Sequence, residues 1–329
     1  MAEKAYPTGG EFLLKETDPQ DAFTPEDFNE NQRMFSTTVD GFVQQVIEPV
    51  RDELEYQSKT ELGKDLLKKA AEMGLLMVDV PEAFGGMGSD KATIMLVSER
   101  MAYSGSFAVT HGAQSGIGTL PIVYFGTDEQ KQKYLPGIAT GEIMTCYALT
   151  EPGSGSDALA AATTAVLSED GSHYVLNGTK QNITNASYSD ICILFAKIDG
   201  KEFTAFIVDL HADGVTIGPE EHKMGIKGSS TCPIILEDVK VPAENLLGEI
   251  GKGHHIAFNI LNVGRFKLGA STTGGLKMAL GDIVPYTKQR HQFGQPLCDF
   301  GLIRAKMADV MARGFMAESM VYRTAGLLD

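Results

Sequence analysis

Between positions 25 and 125 apolar residues recur at three- and four-residue intervals, as along residues 61–76, and this spacing predicts amphipathic helices. Met73 and Met77 fall on the expected core face of that stretch, and Phe84-Gly85-Gly86-Met87-Gly88 breaks the helical pattern. Thr127-Asp128-Glu129-Gln130 has the form of a capping box ahead of a short helix carrying Tyr134 and Leu135. After Gly141 the texture changes to short β-branched or alternating runs. Residues 163–167 and 173–176 flank Glu169-Asp170-Gly171-Ser172 as a hairpin, residues 191–198 turn at Asp199-Gly200 into 203–208, and a further strand spans 233–239 and ends near Pro242. From Gly253 the helical period returns, in one long segment toward Gln289 and a second over residues 303–328. The fold class that follows is α+β multidomain: an N-terminal helical bundle (1–143), a central antiparallel β-barrel-like domain (144–250) and a C-terminal helical domain (251–329). Two helices close a bundle poorly, so this last domain is expected to be incomplete.

A chain of 329 residues with 43% hydrophobic and 22% charged positions can bury a sizeable core, which sets disorder aside. Its 28 Lys and Arg face 43 Asp and Glu, a formal charge of −15, and the longest basic run is a pair such as Lys68-Lys69. That balance argues against nucleic acid or an anionic membrane as the main partner. An anionic ligand would rely on local cations and helix N-termini. Cys146, Cys192, Cys232 and Cys298 are widely spaced, with no CxxC and no Cys/His cluster, so no metal site and no disulfide framework is expected. The N-terminal MAEKAYPTGG has no apolar leader core and no apolar run of about eighteen residues occurs. The expected location is the bacterial cytoplasm, or the mitochondrial matrix if a transit peptide has been removed.

The densest chemical signal is Tyr147-Ala148-Leu149-Thr150-Glu151-Pro152-Gly153-Ser154-Gly155-Ser156-Asp157, where a strand passes into a loop rich in glycine and hydroxyls. Unobstructed backbone N–H groups at Gly153 and Gly155 and rotatable donors at Thr150 and Ser156 suit a flat ring or a phosphate, and equally suit an ordinary turn. The segment resembles the signature loop of the acyl-CoA dehydrogenase family. The resemblance runs on through Pro81-Glu82-Ala83-Phe84-Gly85-Gly86, Gly178-Thr179-Lys180 to Asn185, Met224-Gly225-Ile226-Lys227-Gly228-Ser229, Val239-Lys240-Val241-Pro242-Ala243-Glu244-Asn245 and Arg290-His291-Gln292-Phe293-Gly294. Ile260-Leu261-Asn262-Val263-Gly264-Arg265 and His111-Gly112-Ala113-Gln114-Ser115 look most like the very-long-chain branch.

The resemblance implies a non-covalent FAD and a fatty acyl-CoA substrate. A glutamate removes the α-proton, the β-hydrogen leaves as hydride to the flavin, and trans-2-enoyl-CoA forms in fatty acid β-oxidation. By position, Tyr147, Leu149 and Thr150 line the ring, Gly155 and Ser156 lie near the pyrophosphate with Ser156 also at the substrate, and Asn182 and Thr184 belong to the second flavin segment. Arg290, Gln292 and Phe293 hold the adenosine-diphosphate half of a neighbouring subunit's FAD, an arginine fork being suited to phosphate. Leu261, Asn262 and Arg265 fall at the substrate. For Arg265 a thioester-positioning role and an interhelical salt bridge stand side by side. A homodimer or dimer of dimers and an electron-transfer flavoprotein as electron acceptor are the implied partners.

Two positions depart from the pattern. Asn182 replaces the tryptophan of many relatives, in a chain with no Trp, which removes an aromatic wall from the ring. Gly264 stands where some branches carry the glutamate, and the other family position is expected beyond Asp329, so no catalytic base is expected within the chain. General-base catalysis is worth ~10²–10⁴-fold, so these residues alone predict weak proton abstraction. An acyl-CoA oxidase-like enzyme and a flavin- or acyl-CoA-binding protein without a base are the alternatives. His254-His255 suits a solvated helix start, because adjacent residues do not share a helix face. Glu220-Glu221 suits a small surface charge cluster.

Overall fold

A computed structural model describes residues 6–329, so the first five positions of the expected N-terminal domain and of its leaderless start lie outside it. Nine α-helices of five or more residues occur among the described residues. They are α1 (Glu30–Phe42), α2 (Arg51–Glu55), α3 (Leu62–Glu72), α4 (Lys91–Met101), α5 (Ser106–Gly112), α6 (Leu120–Phe125), α7 (Asp128–Thr140), α8 (Gly253–Gln289) and α9 (Gly301–Leu328). Their starts follow local chemistry. Asn29 and Gln32 form a reciprocal capping box at α1, the Asp90 carboxylate accepts the Thr93 N–H at 2.6 Å at α4, and the expected Thr127–Gln130 box opens α7. Gly141, at φ 74°, ends α7 and donates its N–H to the Ile138 carbonyl.

The strands are β1 (Thr145–Ala148), β2 (Thr164–Leu167), β3 (His173–Thr184), β4 (Ile191–Ile198), β5 (Glu202–Asp209), β6 (Val215–Ile217), β7 (Thr231–Pro242) and β8 (Leu246–Leu247). They form one sheet whose hydrogen-bonded path runs β6-β7-β3-β2-β4-β5-β8, with β1 joined to β4. The expected hairpins β2–β3 and β4–β5 are present, in antiparallel register. The purely antiparallel expectation is corrected: β1 and β2 both run parallel to β4, so the sheet is mixed, and its path is open between β6 and β8. Alternation identifies a strand but not the direction of its neighbour. The run Ile191-Cys192-Ile193-Leu194-Phe195-Ala196 is buried on both faces, the pattern of a strand covered from both sides.

The chain gathers into two compact units, the larger comprising residues 44–89 and 104–264 and the smaller residues 6–43, 90–103 and 265–329. In the larger unit one face of the sheet packs Ile193, Phe195, Ala205 and Ile207 with Leu135, Ile138 and Ile260, and the other packs Cys192, Leu194, Phe206 and Val208 with Ile234 and Leu236. In the smaller unit the last two helices do not stand as a pair. Gly274 of α8 lies so close to α4 that an added Cβ would sit 1.9 Å from the Glu99 carbonyl oxygen. Lys277 and Tyr322 both reach the buried Glu99 carboxylate, at 2.6 and 2.7 Å. In this unit α4 packs against both α1 and α9. Sequence periodicity shows that a helix has an apolar face but not that a segment from 200 residues earlier covers it.

Candidate functional site: a braced glycine-hydroxyl loop

The loop after β1 is an excursion along one edge of β4. β1 pairs with residues 191–194 of β4, β2 pairs with 197 and 198 on the same strand, and the chain leaves and returns between them. Its departure is tightened by reciprocal bonds, Glu151 N–H to Ser154 O at 2.8 Å and Ser154 N–H to Glu151 O at 3.1 Å, while the Ser154 hydroxyl donates to Asp157 O at 2.7 Å. The loop is also laid against β3, where the Gln181 N–H donates to Thr150 O at 2.9 Å. Tyr147, Leu149 and Thr150 are thereby brought beside the 180–184 segment, although 30 residues separate the two in sequence.

A buried ion pair lies beneath this junction. Lys180 Nζ stands 2.6 Å from Glu151 Oε1, with the two side chains 0% and 4% exposed. Glu151 also accepts the Ala162 N–H at 2.6 Å, the Thr163 N–H at 3.2 Å and the Thr163 hydroxyl at 2.6 Å. Lys180 sends a second, longer contact of 3.5 Å to the Leu149 carbonyl. Burial alone would raise the Glu151 pKa. The donors from Lys180, Thr163 and Ala162 outweigh it and hold the carboxyl below its ordinary value, so it is an anion at neutral pH. Sequence reading passed over this pair because each partner sits inside a motif valued for other residues. Their neighbours give no signal either, since Glu151 stands between Thr150 and Pro152 and Lys180 between Thr179 and Gln181.

The other expected residues take distinct places. Tyr147 packs edge-on against Phe195, with ring centroids 5.2 Å apart, and its buried hydroxyl has no hydrogen-bond partner among the described residues. Burial pushes the phenol above its ordinary pKa, so it remains a protonated donor. Leu149 is buried, Thr150 and Thr184 are half-buried, and Gly155 and Ser156 are exposed, with open space where a Gly155 side chain would be. Asn182 is exposed, with φ 59° inside a bulge of β3, a backbone that asparagine adopts more readily than bulky residues do. Leu261 packs against the larger core, and Asn262 and Arg265 are exposed one turn apart on α8. Gly264 is half-buried, and an added Cβ would make ordinary contact with Ile117 at 3.6 Å.

Arg290, Gln292 and Phe293 lie in the smaller unit, on a ribbon of β9 (His291–Gln292) and β10 (Gln295–Pro296) closed by the Leu297 N–H on the Arg290 carbonyl at 2.8 Å. Phe293 and Gly294 form its tip, both left-handed at φ 54° and 82°, and Phe293 is 94% exposed. A bulky aromatic in that backbone and that much water is strained and unburied at once.

The remaining side clusters are plain. The His254 and His255 rings lie 4.3 Å apart, tilted by 39°, at the start of α8, where His255 borders a cavity of about 470 Å³ with Lys252 and Glu249. Among the described residues no group of three or more His, Cys, Asp or Glu side chains could hold a metal ion, and no helix is long and apolar enough to cross a membrane. Glu220 departs from the surface-cluster expectation. It is half-buried and accepts the Thr231 N–H and the Thr60 hydroxyl at 2.8 and 3.0 Å, because the segment before β7 lies against Thr60.

Comparison with known proteins agrees with the motif order. The N-terminal, middle and C-terminal domain profiles of acyl-CoA dehydrogenases match residues 29–142, 146–239 and 251–329. A probable acyl-CoA dehydrogenase of Bacillus subtilis is 51% identical over all of this chain and 56% of its own length. The very long-chain specific acyl-CoA dehydrogenase of Rattus norvegicus is 37% identical over 93% of this chain and 48% of its own. The crystal structure of an acyl-CoA dehydrogenase complexed with FAD from Bacillus anthracis superposes with a TM-score of 0.94 at 54% identity, covering 98% of this chain and 55% of that one. The chain thus spans about half the length of these relatives, and the three matched profiles, in order, show that it belongs to the acyl-CoA dehydrogenase family.

Proposed function

We propose that the chain is the flavin-binding part of an acyl-CoA dehydrogenase, holding FAD on the 147–157 loop and residues 182–184 and taking a fatty acyl-CoA thioester for α,β-desaturation. What supports this most is the junction of the loop with β3. It carries the unpartnered Tyr147 hydroxyl, the half-buried Thr150 and Thr184 hydroxyls and the open Gly155-Ser156 backbone, held by the Gln181–Thr150 bond and the Glu151–Lys180 pair. An orphaned buried donor, rotatable hydroxyls and a glycine without side-chain obstruction fit a polar-edged flat ring with a phosphate tail.

FAD, when bound, supplies the two-electron acceptor. The chain's own residues bind and orient: Thr150 and Tyr147 donate toward the ring edge, Ser156 toward phosphate, and Arg290 and Gln292 toward the adenosine-diphosphate half of a cofactor shared with a second copy. Leu261, Asn262 and Arg265 present one face of α8 to the acyl-CoA. Transfer of the electrons to an electron-transfer flavoprotein, and a homodimer or dimer of dimers, complete the reading. Gly264 favours a second reading, in which the chain binds flavin and acyl-CoA without abstracting a proton, because a glycine there offers no carboxylate.

The test is to load the protein with FAD, remove the excess, and titrate anaerobically with palmitoyl-CoA while following flavin absorbance. Bleaching supports the dehydrogenase, retained but unbleached flavin supports the second reading, and failure to retain flavin overturns both. Gly264→Glu puts its Cβ in ordinary contact with Ile117 at 3.6 Å and is expected to fold, and in the unbleached case to raise the rate of bleaching.

A further inference from the structure

The side chains of Lys180 and Glu151 are given no part in the proposed chemistry, yet they form a fully buried ion pair in the larger unit. A buried pair contributes little net stability over well-packed neutral groups of the same size, so its presence beneath a ligand-binding surface calls for an account. The geometry supplies one. The carboxylate collects donors from two separate segments, Lys180 on β3 and Ala162 with Thr163 where the loop returns to the sheet, while its own backbone closes the turn with Ser154. Lys180 in turn points to the Leu149 carbonyl, one residue before Thr150. Thr163 is itself fixed, because its Oγ1 lies 2.5 Å from where a Cβ at residue 178 would be, a space that only Gly178, at φ 152°, leaves open. Departure of the loop, its return and β3 are therefore all referred to one carboxylate.

We infer that Glu151 and Lys180 are positioning residues for the flavin loop: they set the register of Leu149 and Thr150 against residues 181–184, and so act on cofactor affinity and environment rather than on stability alone. The inference rests on the functional reading above. A hydrogen bond can be satisfied in several geometries by neutral groups, but an anion with four donors has one arrangement in which all are used, which makes this pair a locator as well as a link.

The experiment separates location from stability. Glu151→Gln/Lys180→Met keeps the shape of both side chains and removes both charges together, so no lone buried charge remains. The double variant is expected to keep the wild-type circular dichroism and an apo unfolding midpoint close to that of the wild type, while its FAD Kd rises about tenfold or more and the vibronic structure of the bound flavin's absorption blurs. Thr163→Val tests the same point where the fold is least disturbed: it removes one charge-assisted donor, is expected to weaken FAD binding about tenfold, and Thr163→Ser is expected to restore it. FAD affinity and spectrum unchanged in a folded double variant, or in Thr163→Val, overturns the inference and leaves the pair a packing element. Failure of the wild-type protein to take up FAD is a different result, overturning the functional reading on which the inference stands.

Discussion

The two candidate cofactor-contacting regions are built in opposite ways. The 147–157 loop is short of exposed apolar surface, doubly tied to β3 and seated on a buried ion pair. The ribbon at residues 290–297 is two hydrogen-bonded residues per strand, with a left-handed, 94% exposed phenylalanine at its tip. The first lies within its own compact unit, and its backbone and charged groups are bonded to one another, with the Tyr147 hydroxyl left over. The second carries a left-handed aromatic whose ring meets Phe300 edge-on at 6.3 Å and is otherwise exposed. A preformed surface accepts a ligand at little ordering cost, whereas an exposed strained tip gains only when something covers it.

The largest test of this contrast breaks the braced loop from beneath. Lys180→Met leaves the Glu151 carboxylate buried without its counter-ion, and is expected to lower unfolding stability in urea by about 3–5 kcal/mol. A loss below about 1 kcal/mol would mean that water or a rearranged donor replaces the lysine. Acid should do a milder version of the same thing. The Glu151 pKa is lower folded than its ordinary value of 4.5, so its contribution is full above that pH and disappears as pH falls through the folded value. Wild-type stability should therefore drop between pH 4.5 and more acid values with a steeper slope than that of Glu151→Gln/Lys180→Met, and equal slopes would remove Glu151 from the account. The ribbon should respond in the other sense. Arg290→Ala is expected to change unfolding stability by less than about 0.5 kcal/mol while weakening FAD binding in an equilibrium titration, since its side chain is exposed. The smallest effect belongs to Phe293→Gly. Relief of a left-handed aromatic should stabilise the isolated chain by up to about 1 kcal/mol in thermal or urea unfolding, and a clear destabilisation would show that Phe293 packs more than its exposure indicates.

Much of this architecture was legible in the chain itself, for local reasons. Capping at Thr127, the turn at Asp199-Gly200 and the long apolar periodicity after Gly253 each involve residues within one turn or one hairpin, so spacing alone carries them. The loop at 147–157 and the segment at 180–185 were legible as motifs, and their juxtaposition follows from β1 and β3 belonging to one sheet. What spacing does not carry is pairing over distance. The parallel direction of β1 and β2 on β4, the Glu151–Lys180 contact and the closing of α8 onto Glu99 each join residues that no local pattern relates. The left-handed setting of Asn182 was also hidden, since a residue missing from a family pattern says nothing about its backbone.

The shared edge of β4 has a consequence for how the chain is made. Thr145 of β1 has Ile191 as its partner, and Thr164 of β2 reaches Lys197, so the middle of the sheet has no hydrogen-bonding neighbour for β1 until more than 40 further residues have left the ribosome. The β2–β3 hairpin can zip early, but the glycine-hydroxyl loop acquires its shape only when β4 arrives. Non-local, parallel closure of this kind is slow, and during that interval Cys146 and Tyr147 lie open to the wrong neighbours. Nascent chains halted before residue 191 are the ones that should need chaperones most.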